Sequence, residues 1–176
     1  MIKRLVWLLV ASTVLSAQAP APAANANVEM TVYLISGSAQ GTVDDVPKDL
    51  ESTVKQLHSV FAYKSYKLSE SFILRGRSGN ASTEGVLPGV GLHYRFGYLR
   101  LRLSGDAPRA VQLDGLNLEL TRPNGQFKDG KQLSETVAKI YTDLDMRDGQ
   151  KTVVGKSSLN AVGDALILVI VPKVIE

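Results

Sequence analysis

A chain of 176 residues suits one domain, and 44% hydrophobic against 21% charged residues is the composition of a folded globule, which excludes wholesale disorder. It has no cysteine and two histidines, His58 and His93, which excludes disulfides, thiolate metal sites, a cysteine nucleophile and a three-histidine zinc site. The formal charge of +3 counts Lys3 and Arg4; 20 basic residues less these two leave 18 against 17 acidic, a net +1, too little basic excess for a nucleic-acid partner.

Lys3 and Arg4, the apolar run from Leu5 to Leu15 and the small residues after it have the order of an export signal. The run is shorter than the ~20 residues that span a bilayer. Ala17-Gln18-Ala19 and Ala24-Asn25-Ala26 both have the A-x-A form, so cleavage after Ala19 or after Ala26 stays open. Residues 1–26 are read as leader and spacer, and residues 27–176 as one domain. No later segment has the length of a transmembrane helix, so the expected location is the periplasm or the outer-membrane surface.

Val28 to Ile35 is β-rich, with Val28, Met30, Val32 and Leu34 on one face, and Ser36-Gly37-Ser38 ends it. Pro47 opens a helix, with Asp44 or Asp45 as a nearby cap. Leu50, Val54, Leu57 and Phe61 form its apolar stripe, and His58 flanks that stripe as a boundary residue. Tyr63 to Arg77 alternates as a strand through Tyr66, Leu68, Phe72 and Leu74. Ser78 to Gly91, with its four glycines, reads as a loop or a weak hairpin. Leu92 to Ser104 alternates most clearly: Leu92, Tyr94 and Phe96 share a face, Leu99, Leu101 and Leu103 take the opposite parity, and Gly97-Tyr98 is read as a β-bulge. Val111 to Thr121 changes parity across Asp114-Gly115. Arg122-Pro123-Asn124-Gly125 reads as a turn, Ser134 to Met146 as a long strand, and Asp148-Gly149 as a second turn. Thr152 to Gly155 is a short strand and Ser158 to Gly163 a loop. Ala165 to Val171 is an apolar run that fits a strand buried on both faces. The fold class is α+β, a mainly antiparallel sheet with one amphipathic helix packed near the N-terminal strand. A parallel strand pair flanking the helix is an option.

The motifs that carry chemistry fail on spacing. Gly155-Lys156-Ser157 has Gln150 where a phosphate-binding loop needs glycine, and strands surround it. Asp143, Asp145 and Asp148-Gly149 resemble a calcium loop, but Arg147 and Val154 occupy ligand positions. In Gly37-Ser38-Ala39-Gln40-Gly41 the serine is not central, as a nucleophile elbow requires. Neither histidine has an acidic neighbour in sequence to orient it. Asn80-Ala81-Ser82 is a formal glycosylation sequon. No catalytic residue, metal or cofactor is expected. Lys64, Lys67, Arg95, Arg100 and Arg102, with Tyr98, and behind them Arg75, Arg77, Tyr63, Tyr66 and Tyr94, are the candidate binding residues. On one sheet face they would meet an anionic glycan, lipid head groups or an acidic partner; otherwise they are a solvated face with edge-protecting charges.

Two C-terminal pieces carry a family likeness. Asp148-Gly149-Gln150-Lys151-Thr152-Val153-Val154-Gly155 resembles the "DGQTVVIGG" segment of the core domain of bacterial type II and III secretion secretins. Asp164 to Val174, DALILVIVPKV, resembles the "ELVILITPRIV" strand near the end of that domain, and Val28 to Ile35 is similar to the "VEAYIVEV" strand that opens it. The helix at Leu50 to Phe61 and the strand after it sit where the family has a helix and a strand. The chain departs from the family where its second glycine is Lys156, in the short run from Lys156 to Asp164, and in lacking upstream N-domains. The resemblance implies a secretin-like core reused as an exported, non-enzymatic protein, working with envelope proteins or copies of itself rather than as a gated channel. The alternative is a periplasmic binding module for an anionic glycan or lipid.

Overall fold

The computed structural model describes residues 27–105, 109–159 and 163–175. The leader, both A-x-A sites, the spacer up to residue 26 and part of the loop before Ala165 lie outside them. Eight strands and one helix follow in chain order: β1 (Asn27–Ser38), a 3₁₀ turn (Lys48–Leu50) running into α1 (Glu51–Val60), β2 (Ser65–Gly76), β3 (Gly79–Leu87), β4 (Leu92–Ser104), β5 (Ala110–Lys128), β6 (Lys131–Arg147), β7 (Thr152–Ser158) and β8 (Ala165–Ile175). They form two four-stranded sheets, β2-β1-β8-β7 and β3-β4-β5-β6, and every ladder is antiparallel. The α+β class with a mainly antiparallel sheet is therefore observed. The optional parallel pair flanking the helix is present only as one isolated bridge, Asp45↔Lys67; β1 and β2 are antiparallel neighbours, and α1 is inserted in the connection between them.

Hydrophobic alternation explains the layering. Val28, Met30, Val32 and Leu34 of β1 and Leu166, Leu168 and Ile170 of β8 turn to the second sheet and meet Phe96, Leu101, Leu113, Leu116, Leu118 and Leu120. The other face of the first sheet, through Ile35, Ile167 and Val169, receives Leu50, Val54 and Leu57 from the helix. β8 thus has apolar side chains on both faces because both faces are covered, as the unbroken run predicts. Asp44 and Asp45 do not cap the helix, whose N-terminus has no side-chain cap.

Three further sequence readings are corrected. The glycine-rich stretch is a strand, β3, paired with β4 from Gly79↔Leu101 to Leu87↔Leu92. Glycine is tolerated in it because Tyr94 occupies the space: a Cβ on Gly85 would come within 2.6 Å of the Tyr94 hydroxyl. The parity change in β4 falls at Leu99-Arg100, so Tyr98 points inward at 3% exposure and Leu99 outward at 69%. It lies opposite the change in β5, where Gly115 at φ +62° allows the step from Leu113 to Leu116 on the buried face. Arg122–Gly125 lies inside a continuous β5, with Arg122 and Pro123 paired to Glu135 and Ser134 and a bulge at 124–126, and the hairpin turns instead at Asp129-Gly130, both at positive φ.

The two motifs that carry the family likeness are one structural unit. β7 pairs with β8 from Thr152↔Ile170 to Ser158↔Ala165. The Asp148-Gly149 turn is fastened to the end of β8: Gly149 N–H donates to the Pro172 carbonyl at 2.7 Å, and Val174 N–H donates to Asp148 Oδ1 at 2.9 Å.

Candidate functional site

The outer face of the second sheet carries an ordered row of charges. In register across β3, β4, β5 and β6 stand Glu84, Arg95, Glu119 and Lys139, alternating in sign. Arg95 lies 3.5 Å from Glu84, and Glu119 accepts a hydrogen bond from Thr136 Oγ1 at 2.8 Å. The next row is Val86, His93 and Thr121. Bulges at Leu120–Thr121 and Pro123–Phe127 redirect the β5–β6 hairpin, and Pro123, Gln132 and Ser134 join both rows, Lys139 excepted, in lining a cleft of about 600 Å³. That is a ligand-sized volume. Its side chains are two carboxylates, a guanidinium, an imidazole, hydroxyls and an amide, which suits a polar partner carrying a positive group better than a polyanion.

The six candidate binding residues do not share one face. Arg95, Arg100 and Arg102 are on β4. Lys67 is on β2 and Lys64 just before it, both belonging to the first sheet beside the helix. Each charge with a described ion-pair partner faces a carboxylate: Arg102 to Asp114 at 2.9 Å, Lys67 to Asp45 at 3.7 Å, Arg75 to Glu29 at 2.7 Å. Arg100 stands opposite Asp114 in register. Tyr98 is buried at the corner where β2 turns into β3, against Gly76 and Ala81, and burial pushes its hydroxyl pKa up. Only Arg95 of the six reaches the cleft. Its partners Glu84 and Glu119 carried no sequence signal, because their spacing to Arg95 has meaning only once the register is known.

The motifs with failed spacing have structural employment. His58 Nε2 lies 2.9 Å from Asp44 Oδ2, so the histidine has an acidic partner that the sequence distance of fourteen residues hid. Asp44 Oδ1 also accepts the Tyr66 N–H at 2.8 Å, and the His58 ring meets Tyr66 edge to face at 4.7 Å. The pair clamps the loop before the helix to β2. Asp143 accepts the Gly115 N–H at 2.7 Å and so fixes the β5 bulge. Lys156 donates to the Tyr63 hydroxyl at 3.2 Å and lies over Phe61 and Tyr63 within strand β7. Among the described residues no group of three His, Asp or Glu converges as a metal site, and no helix is long and apolar enough to cross a membrane.

No protein-family description matches the chain, and no curated protein does. Among solved structures it is similar to the type II secretion secretin XcpQ from Pseudomonas aeruginosa, at 12% identity and a TM-score of 0.40, over 86% of this chain and 59% of that one. It is also similar to the type II secretion secretin GspD from E. coli K12, at 10% identity and a TM-score of 0.39, over 86% of this chain and 51% of that one. The chain therefore spans between half and three fifths of the secretin chains it matches. Their family is the one its two C-terminal motifs resemble.

Proposed function

We propose that this protein is an exported, non-enzymatic envelope protein with a secretin-like core, acting by protein–protein contact in the periplasm or at the outer membrane. The leader-like N-terminus and the fastening of the DGQ turn to the VPKV strand support the setting. The observation that carries the mode of action is the edge of the second sheet. β3 has a ladder on one side only, and its Glu84, Gly85 and Val86 form one wall of the cleft. An edge strand with one side open beside a lined cleft is the arrangement that strand addition uses. The compensated arginines favour contact with a protein over binding of a polyanionic glycan or lipid.

Chemical cross-linking of intact envelopes tests this reading. Cross-linked species containing the chain, with a second copy or another envelope protein, are the expected result. A chain that stays monomeric and uncross-linked under conditions that capture known envelope assemblies overturns it.

A further inference from the structure

Edge strands of this fold are guarded, with one exception. The leading half of β2 is covered by the loop before the helix: Asp45 N–H donates to the Tyr66 carbonyl at 2.8 Å and the Asp45 carbonyl accepts from Leu68 N–H at 3.0 Å. Farther along, the Ser71 N–H donates to Glu70 Oε1 at 2.9 Å. The seam between β6 and β7 is bridged where Lys139 N–H meets Ser157 Oγ at 3.2 Å. The projecting end of β5, beyond its last pair with β4 at His93↔Thr121, is blunted by Pro123, by the bulge at 124–126 and by Lys128. Among the described residues β3 has none of these from Ala81 to Leu87, where its register with β4 is unbroken.

What β3 does have is a charge left at the end of a row. Across the sheet Glu84, Arg95, Glu119 and Lys139 alternate in sign, and the row stops at the open edge with a carboxylate. The row beside it stops with Val86, half exposed at 50%. Directly opposed cross-strand side chains interact, opposite charges favourably and like charges unfavourably. A strand added to β3 continues both rows when it places a cation opposite Glu84 and a β-branched apolar residue opposite Val86, two positions away. A second copy's β3 set antiparallel about Glu84 would oppose two carboxylates, and its β6, which has Val137 two residues from Lys139, is engaged there by the Lys139 N–H bond to Ser157 Oγ at 3.2 Å.

We infer that the β3 edge from Ser82 to Val86 is a docking edge for an extended segment of another protein that carries Lys or Arg two residues from Val or Ile. This rests on the contact reading above and adds the chemistry of the partner. The probe is an acetylated, amidated heptapeptide, Thr-Val-Thr-Lys-Thr-Val-Thr, which offers valine two residues from lysine in either strand direction. Its twin has Glu for Lys. Both are titrated into the full chain with amide chemical shifts as the readout. The Lys peptide is expected to shift the Ser82–Val86 amides and to bind about fivefold or more tightly than the Glu peptide. In Glu84→Lys that order is expected to reverse, while His58 and the helix amides stay unmoved. If both peptides bind the β3 edge equally, the charge rule is overturned although contact by this edge stands. If neither shifts those amides while envelope cross-linking still captures a partner, the docking edge is overturned and the contact reading survives without it.

Discussion

Several single side chains hold this structure at points where backbone groups would otherwise go unpaired. Asp44 satisfies the Tyr66 N–H and receives His58; Asp143 satisfies the Gly115 N–H; Asp148 satisfies the Val174 N–H. Removing such an acceptor leaves a buried or half-buried donor unmet, at a cost of about 1–3 kcal/mol. Tyr66 illustrates the residue scale in another way. Its ring is buried between the helix layer and β2, and burial first, then the neighbouring Tyr63 and Asp44, pushes its hydroxyl up to about 12 from 10.0. The folded chain therefore keeps this phenol neutral after the unfolded chain has lost the proton. Its contribution to stability is complete below pH 10 and is lost as the pH rises from 10 towards 12. In an ultraviolet titration of folded protein the ionisation that Tyr66→Phe removes is expected well above pH 10, and Tyr66→Phe is expected to flatten the loss of stability between pH 10 and 12. Ionisation of Tyr66 near 10 contradicts the burial assigned to it.

At the scale of elements, the paired parity changes of β4 and β5 matter most, because a one-residue slip turns every following side chain over. Leu99 leaves the core, and Leu101 and Leu103 return to it, only because Gly115 on the facing strand adopts φ +62° directly beneath the Leu99 side chain. A Cβ at Gly115 would lie 2.7 Å from Leu99 and would also strain the backbone. Gly115→Ala is thus expected to cost about 1–3 kcal/mol in chemical denaturation. Combining it with Leu99→Ala is expected to recover the contact part and leave the backbone part. Additive losses in the double variant would contradict the contact. The sequence made most of this legible. Inward alternation in β1, the helix stripe at Leu50, Val54 and Leu57, the step across Asp114-Gly115 and the doubly buried β8 all follow from local periodicity. The misreadings share a cause. Gly97-Tyr98, Arg122–Gly125 and the glycines of β3 look like breaks locally, but each is decided by a cross-strand neighbour: Leu99 over Gly115, β6 beside the bulge, Tyr94 over Gly85. Register is a long-range property, and so was the candidate site: Arg95 was visible as a base, while its position between Glu84 and Glu119 was not.

The whole molecule is a meander. Within each sheet strands adjacent in the chain pair, β1 pairs with β8, and the chain passes between the sheets at the β2–β3 and β6–β7 connections. Such an order would leave four edges, and the chain covers or blunts three of them. In the proposed reading association is at β3 and the cleft beside it, whereas Asp44, His58 and Tyr66 interlock the helix layer with the first sheet. The proposed function by contact is consistent with the mixed charges of the outer face and with a histidine–aspartate pair used as a clamp. The most direct measurement places a photo-cross-linking residue at Val86, on the β3 edge, and at exposed Ile73, on the first sheet, in cells that export the chain. Adducts to a protein partner from position 86 and none from position 73 are the expected result. Equal adducts from both positions, or adducts from position 73 alone, would contradict an account in which β3 is the working edge.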